Sequence, residues 1–365
     1  MILRAHRTDP PLRKPLLCRL LSYVGTEGAD PSPLALTQLD ERQFEWALEG
    51  GLGALIYRAV EWDSETVQHP WHDLLHAAEL SARVRHLARV DAAIDVLDTC
   101  EAVGAPVTLL KGISISEQCY SAPHTRPMSD IDLLIPADAY VAVEAALLEQ
   151  GVEKAEFPTI DGFHHGPPLR DAARDAWIEL HVALFPGRSP LRQGRLFAAA
   201  DIPSRAVGVR FRGREAFRLA DELQLAYIAS SWMNDVTHCR IHPSFAVALF
   251  DATLLLRTTG SQLDWDRLIS WLDNETAAAS LHLMLSYIGT RGHIRVPPDA
   301  LRRIASRQRL VGKLQLRLVH AMVDRYLIAG QPWDLPLPPP VPGRYDIRTQ
   351  IQKRVVHAWR ERRTR

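Results

Sequence analysis

Apolar residues along this chain follow two different periods. In the first hundred residues they recur at every third or fourth position, which predicts helices over residues 15–24, 41–62 and 72–101. The same spacing returns from residue 221 and predicts helices over 223–232, 244–258, 266–272 and 277–289. We therefore expect helical ends around a central part of a different kind.

The central part combines short apolar runs with one further helix. Runs at 106–110, 130–135, 152–157 and 176–185 have the length and the flanking residues of strands. Residues 140–150 predict a helix that Asp138 caps and Gly151 ends. We interpret residues 158–175 as irregular, with His164 and His165 in a loop over the active site rather than in a metal site.

These elements predict an α+β fold, in which a small mixed sheet with helices on one side lies between helical segments. The expected divisions are an N-terminal helical segment (1–100), a catalytic core (101–215) and a C-terminal helical domain (216–330). Residues 331–343 hold six prolines and 344–365 hold eight Lys or Arg against two acids, which predicts an extended linker and a basic tail. The tail either contacts an anionic partner or is a solvated end.

Composition limits the class of protein. The chain has 365 residues, 47% hydrophobic and 24% charged, with zero formal net charge, which argues against a nucleic-acid binder that uses its whole surface. Its four cysteines show no C-x-x-C spacing, which fits reduced thiols and no zinc site. With no secretory signal and no long apolar run, we expect a cytoplasmic protein that does not span a membrane.

Two carboxylates begin the strand predicted at 130–135. Side chains alternate along a strand, so Asp130 and Asp132 share one face while Ile131 and Leu133 share the other. Two anions this close repel each other unless a cation lies between them, and Mg²⁺ prefers one or two carboxylates together with substrate phosphates. The pair indicates a metal–nucleotide site; the alternative is a solvated strand edge.

A possible phosphate site precedes this pair. Lys111 and Gly112 follow the strand at 106–110, and Ser114 lies in the next helix. A helix start presents free N–H groups and the positive end of the helix dipole, which suits a phosphate. Lys111 would add a point charge, and its alternative is an ordinary surface lysine.

A third acidic strand follows at 176–185. Glu179 and His181 share one of its faces. If this strand lies beside the strand at 130–135, Glu179 completes a cluster of three carboxylates that can hold two metals. We interpret His181 as a supporting or packing residue, because Mg²⁺ prefers oxygen ligands, and the alternative for Glu179 is an edge-strand surface position.

Other polar residues have two interpretations. Asp251 lies on an apolar helix and must be paired or functional, and we favour a structural pair with His238, Arg240 or His242. The seven arginines of residues 186–215 either contact an anionic substrate or face solvent in loops. The same alternatives hold for three arginines of the helix at 72–101, which are Arg83, Arg85 and Arg89.

Several segments together resemble a family of uncharacterised bacterial nucleotidyltransferases within the polymerase-β-like superfamily. The core segments are Leu110-Lys111-Gly112, Arg126-x-Met128-x-Asp130-x-Asp132 and Glu179-Leu180-His181. His242-x8-Asp251 and residues 263–269 are similar to the helical C-terminal half of that family. The third acid here is Glu179, where an Asp is more usual in the family.

The resemblance implies transfer of a nucleotidyl or related phosphate-linked group from a nucleoside triphosphate or another activated donor, with Mg²⁺ or Mn²⁺. It implies Asp130, Asp132 and Glu179 as catalytic residues and metal ligands. It also implies that the phosphates of the donor are bound by Lys111, Gly112, Ser114, Arg126 and Ser129. Arg126 has the alternative role of locking the loop before the metal strand.

The acceptor is a separate question. Relatives associated with modified-peptide clusters, including lasso peptides, suggest a hydroxyl or phosphate of a peptide or small molecule. Two alternatives stay open, a tRNA- or RNA-modifying enzyme and a non-catalytic nucleotide-binding or scaffold protein that keeps the fold. A nucleic-acid partner is not favoured, because the basic residues concentrate at the C-terminal end.

Overall fold

The computed structural model describes residues 16–26, 34, 36, 39, 41–156, 164–238, 246–292 and 294–329. The predictions for the linker, the basic tail, Arg240 and His242 lie outside these residues, as does the side chain of His238. None of the described helices combines the length and hydropathy needed to cross a membrane.

Within the described residues, four helices precede the sheet, and they are α1 (Leu16–Thr26), α2 (Glu41–Glu49), α3 (Gly53–Ala59) and α4 (His72–Val103). The single helix predicted at 41–62 is therefore wrong. Gly51 interrupts it with φ +73°, a left-handed conformation that glycine adopts without a steric penalty. The helix predicted at 72–101 is confirmed.

Two helices lie within the sheet region, α5 (Lys111–Cys119) and α6 (Tyr140–Glu149). In the part of the chain that the structure describes, six helices follow the sheet, and they are α7 (Asp221–His238), α8 (Val247–Thr259), α9 (Trp265–Trp271), α10 (Glu275–Arg291), α11 (Pro298–Ser306) and α12 (Lys313–Ala329). The prediction that Asp138 caps α6 is wrong, because the helix begins after Ala139 with no side-chain cap. Its end before Gly151 is confirmed.

The strands are β1 (Thr108–Leu109), β2 (Asp130–Leu134), β3 (Glu153–Lys154), β4 (Leu169–Asp171), β5 (Ala176–His181), β6 (Ala206–Phe211) and β7 (Arg214–Leu219). They form one mixed sheet in the order β3-β4-β5-β2-β1-β7-β6. β2 pairs in parallel with β5 and antiparallel with β1. The predicted α+β fold with a mixed sheet is confirmed.

Three strands were not predicted. β4 lies within the stretch interpreted as irregular, and β6 with the start of β7 lies within the arginine-rich stretch, for which the sequence left substrate contact and solvated loops as alternatives. The two central strand predictions, for β2 and β5, are confirmed, although β5 ends at His181 rather than at residue 185.

The two faces of β2 and β5 have different neighbours. Ile131, Leu133, Ile178 and Leu180 are buried on one face with apolar residues of α4 and α6. Full burial of a side chain of this size stabilises the fold by about 1.5–3 kcal/mol, so this face holds the sheet in place. The other face carries the carboxylates and turns toward the second core, in which α1–α3 pack together with α7–α12.

Candidate active site

The parallel pairing of β2 with β5 brings the predicted acidic residues together. The register places Asp132 directly opposite Glu179 and Leu134 opposite His181. Ligand atoms of Asp132, Glu179 and His181 all lie within 4.8 Å of one another. Asp130, two positions before Asp132, shares their face of the sheet.

Asp132 is the most enclosed of the three carboxylates, with 1% of its side chain exposed. Its Oδ1 accepts hydrogen bonds from Lys111 Nζ at 2.6 Å and from His181 Nε2 at 2.8 Å. Burial alone would raise the pKa of Asp132, but Lys111 and His181 outweigh burial and hold this pKa well below its ordinary value. Asp132 is therefore ionised at neutral pH.

His181 bridges two carboxylates. Its fully buried ring places Nε2 at 2.8 Å from Asp132 Oδ1 and 3.4 Å from Glu179 Oε2. Burial lowers the pKa of His181, but hydrogen bonds with these two carboxylates outweigh it and raise the pKa. For Glu179, burial acts in the opposite direction and raises the pKa of the carboxyl group. The hydrogen bond with His181 outweighs burial and brings this pKa below its ordinary value. This placement fits the predicted supporting role of His181.

Asp130 lacks such compensation. Burial, and then repulsion from Asp132, raise the pKa of its carboxyl group, against the opposing effects of Lys111 and a hydrogen bond with Ser129. The cluster thus holds more negative charge than its own cations neutralise. Oxygen donors on one face with unbalanced charge are the donor set that Mg²⁺ or Mn²⁺ prefers, so these residues fit a divalent metal.

Lys111 reaches Asp132 through an unusual backbone conformation. It begins α5 with φ +38°, in the left-handed region that costs a residue with a Cβ about 1–3 kcal/mol. The preceding Leu110 N–H donates to the Asp132 backbone carbonyl at 3.0 Å, which ties the helix start to β2. The Asp132 carboxylate raises the pKa of Lys111 well above its ordinary value, although burial opposes the shift.

The start of α5 forms one wall of the site. Gly112 lines it, and an added Cβ there would lie 2.7 Å from Arg126 Nη1 and 2.8 Å from Met128, so only glycine fits without movement. Ser129 also lines the cavity. Ser114 differs from them, because it is buried in α5 and does not line the cavity.

Arg126 is tied to the C-terminal helices. Its Nε and Nη2 donate to both Asp251 carboxylate oxygens at 2.7–3.2 Å, and the Tyr120 hydroxyl donates to Asp251 at 2.8 Å. The structural pair expected for Asp251 is thus present, but its partners among the described residues are Arg126 and Tyr120. This contact fits the loop-locking alternative for Arg126, whose side chain still lines the cavity.

These groups surround a cavity of about 840 Å³. Its walls come from α4, α5, α7, α8 and the segment before β4, where His164 and His165 lie beside His181 with tilted rings and ring centroids 5.1 and 5.2 Å away. None of the seven arginines of residues 186–215, all within the described part of the chain, lines the cavity. Several of them pair with acids elsewhere, as Arg212 does with Glu117.

Tyr227 is a cavity residue that the sequence did not indicate. It is buried on α7, lines the cavity, and has a pKa raised by burial. Its sequence neighbours Leu225, Ala226 and Ile228 make it indistinguishable from a packing residue. Only the spatial proximity of α7 to β2 could reveal it.

Comparison with known proteins identifies the family. The model of a family described as uncharacterised nucleotidyltransferases matches residues 40–291, and the chain belongs to that family. No curated protein matches the chain.

Two solved structures are similar to parts of the chain. One is a solution structure of the antibiotic-resistance factor ANT(2'')-Ia, with 13% identity over 56% of this chain and 95% of that chain, and a TM-score of 0.35. The other is a crystal structure of an antigenic nucleotidyltransferase-like protein from Paracoccidioides brasiliensis, with 11% identity over 60% of this chain and 95% of that chain, and a TM-score of 0.39. Similarity at this level assigns neither an activity nor a substrate to the present chain.

Proposed function

We propose that this member of the uncharacterised nucleotidyltransferase family transfers a nucleotidyl group from a nucleoside triphosphate to a hydroxyl or phosphate of a peptide or small molecule. The observation that carries the proposal is the register of β2 and β5. This register sets Asp132 opposite Glu179, and both residues line the cavity described above, which is large enough for a nucleotide and part of an acceptor.

The metal that such a reaction requires fits the carboxylate face. Asp130, Asp132 and Glu179 would hold Mg²⁺ or Mn²⁺ through their oxygen atoms. Bound there, the metal would supply positive charge to the triphosphate and favour the ionised form of the attacking oxygen.

The remaining roles belong to the chain's own side chains. An acceptor oxygen forms a bond to the α-phosphorus, the bond between that phosphorus and the α–β bridging oxygen breaks, and pyrophosphate leaves. Glu179, the most accessible member of the Asp132–His181–Glu179 group, accepts the proton of an acceptor hydroxyl. Lys111 and the first N–H groups of α5 hold donor phosphate oxygens.

Calorimetric titration tests the donor site. Each nucleoside triphosphate and a set of nucleotide sugars are titrated with and without Mg²⁺, into the native protein and into an Asp130→Ala, Asp132→Ala variant. We expect metal-dependent binding of a donor that the variant loses. Asp138→Ala serves as the matched control, because Asp138 is an exposed carboxylate outside the cavity.

Release of pyrophosphate tests the reaction itself. With the donor found by calorimetry, Asp132→Asn should abolish pyrophosphate release from a mixture of candidate acceptors while the protein stays folded. Full release by that variant would refute the assignment. Donor binding without pyrophosphate release, for all acceptors and for the native protein, would favour the non-catalytic alternative.

A further inference from the structure

The middle of α4 forms a cationic side of the cavity. Arg85 and Arg89 lie one helical turn apart on α4, and both line the cavity. Arg83 lies on the same helix but pairs with Glu79 at 2.8 Å and does not line the cavity. Only two of the three arginines considered from the sequence therefore face the site.

Neither Arg85 nor Arg89 forms an ion pair with any carboxylate in the described part of the chain. Arg89 donates from Nη1 to the Arg85 backbone carbonyl at 3.2 Å, while its Nε is buried without a hydrogen-bond partner among the described residues. A buried donor of this kind destabilises the fold if it stays unsatisfied. Two like charges one turn apart also repel, so the pair is incomplete without an anion.

The position of the pair limits which anion it meets. Asp130 is close enough to Arg89 to oppose the effect of burial, which lowers the pKa of Arg89. Arg85, Arg89 and Asp130 line the same cavity, so a substrate group would be held between the carboxylates and α4. A guanidinium pair favours a phosphate, which accepts several N–H donors at once.

We propose that Arg85 and Arg89 form a phosphate-binding wall that completes the nucleotidyltransferase site from α4. The inference rests on the proposed function for the source of the phosphate, but the binding chemistry does not. That phosphate is either the β- or γ-phosphate of the donor or a phosphate carried by the acceptor. Both sources meet the same two guanidinium groups.

Inorganic tripolyphosphate without metal is the first probe. Its affinity is measured by calorimetry for the native protein, for an Arg85→Gln, Arg89→Gln double variant and for Arg210→Gln. Arg210 is a matched control, an exposed arginine on β6 outside the cavity. Because a charge-assisted hydrogen bond contributes about 1.5–3 kcal/mol, the double variant should bind about tenfold more weakly or worse, and Arg210→Gln should bind like the native protein.

Two further titrations identify the source. Donor phosphates are the source if the double variant loses affinity for the nucleoside triphosphate but keeps affinity for the monophosphate. An acceptor phosphate is the source if nucleoside triphosphate binding is unchanged and inorganic phosphate binds more weakly to the donor-saturated double variant. Equal affinities of the native protein and the double variant for tripolyphosphate, nucleoside triphosphate and inorganic phosphate would overturn the proposal.

A conservative variant separates binding from folding. Arg89→Lys keeps the charge but loses the planar fork, so its affinity should lie between those of the native protein and the double variant. If Arg89→Lys and Arg89→Gln, measured as separate variants, both bound tripolyphosphate like the native protein, this result would also count against the phosphate-binding wall. The proposed transfer reaction is tested separately, because full pyrophosphate release by Asp132→Asn would refute the reaction while metal-free tripolyphosphate binding to the arginines stayed intact.

Discussion

The ion pair between Arg126 and Asp251 joins the loop that precedes Asp130 and β2 to the C-terminal helices. Its side chains are 10% and 4% exposed, and Arg126 Nη1 also donates to the Pro127 backbone carbonyl at 3.0 Å. Asp251→Ala removes the only carboxylate that Arg126 contacts within the described residues. We expect this one change to destabilise the fold and to loosen the loop before β2.

The expected loss follows from the burial. Removing one partner of a buried ion pair leaves an uncompensated charge and costs about 3–5 kcal/mol, and here the Tyr120 hydroxyl loses its acceptor as well. Replacing both partners with apolar residues removes the stranded charge. Arg126→Met together with Asp251→Leu should therefore recover at least half of the lost stability.

Urea denaturation, followed by circular dichroism, measures these free energies of unfolding. The matched control is Asp299→Ala, which breaks an exposed pair with Arg302 and should cost less than about 1 kcal/mol. A loss below about 1 kcal/mol for Asp251→Ala would show that the pair is not the buried connection described above. Donor titration of the double variant then separates loop order from stability, because it should be stable yet bind donor more weakly than the native protein.

Three further predictions concern other parts of the fold. Gly112→Ala should weaken donor binding and lower the thermal midpoint, whereas Gly208→Ala, with open space around its Cβ, should leave both unchanged. Burial raises the pKa of Cys100 to about 12, so iodoacetamide at neutral pH should label this thiol only after unfolding. Burial lowers the pKa of His282 and His320, so stability is lost as pH falls below their ordinary value of about 6.5. Replacing both with Gln should reduce the fall in the urea midpoint between about pH 7 and pH 5, and an equal fall would contradict the assignment.

The carboxylates that line the cavity, Asp130, Asp132 and Glu179, could be predicted because their placement depends on the two-residue period of side chains along a strand. Alternation along a strand fixes that Asp130 and Asp132 share a face, and that Glu179 and His181 share one, whatever the rest of the chain does. The sequence left open whether the two strands lie side by side, and the β2–β5 pairing shows that they do.

Contacts between distant segments could not be predicted in the same way. Asp251 lies 125 positions from Arg126, and nothing in the local sequence distinguishes this partner from the nearer Arg240 or His242. The pattern required a partner for a carboxylate on an apolar helix but contained no information on which segment of the chain would supply it.

The hairpin of β6 and β7 had a local signal that arginine content obscured. Arg212 and Gly213 both have positive φ, at 49° and 89°, as a two-residue hairpin turn requires. An x-Gly pair between two alternating runs is a hairpin signature, but the frequent arginines suggested a solvated loop. On this edge of the sheet Arg210 and Arg214 are strand residues that pair with Glu215 and Asp98. Arg212, in the turn, pairs with Glu117.

The charges of the cavity come from different regions of the chain. The carboxylates lie on the sheet, whereas Arg85 and Arg89 come from α4 and the Asp251 that holds Arg126 comes from α8. A fragment limited to the predicted catalytic core of residues 101–215 would keep Asp130, Asp132 and Glu179 but lose the arginine pair and the partner of Arg126. Its acidic face would then repel a triphosphate more strongly, so we expect the proposed donor binding to require the helical segments on both sides of the sheet.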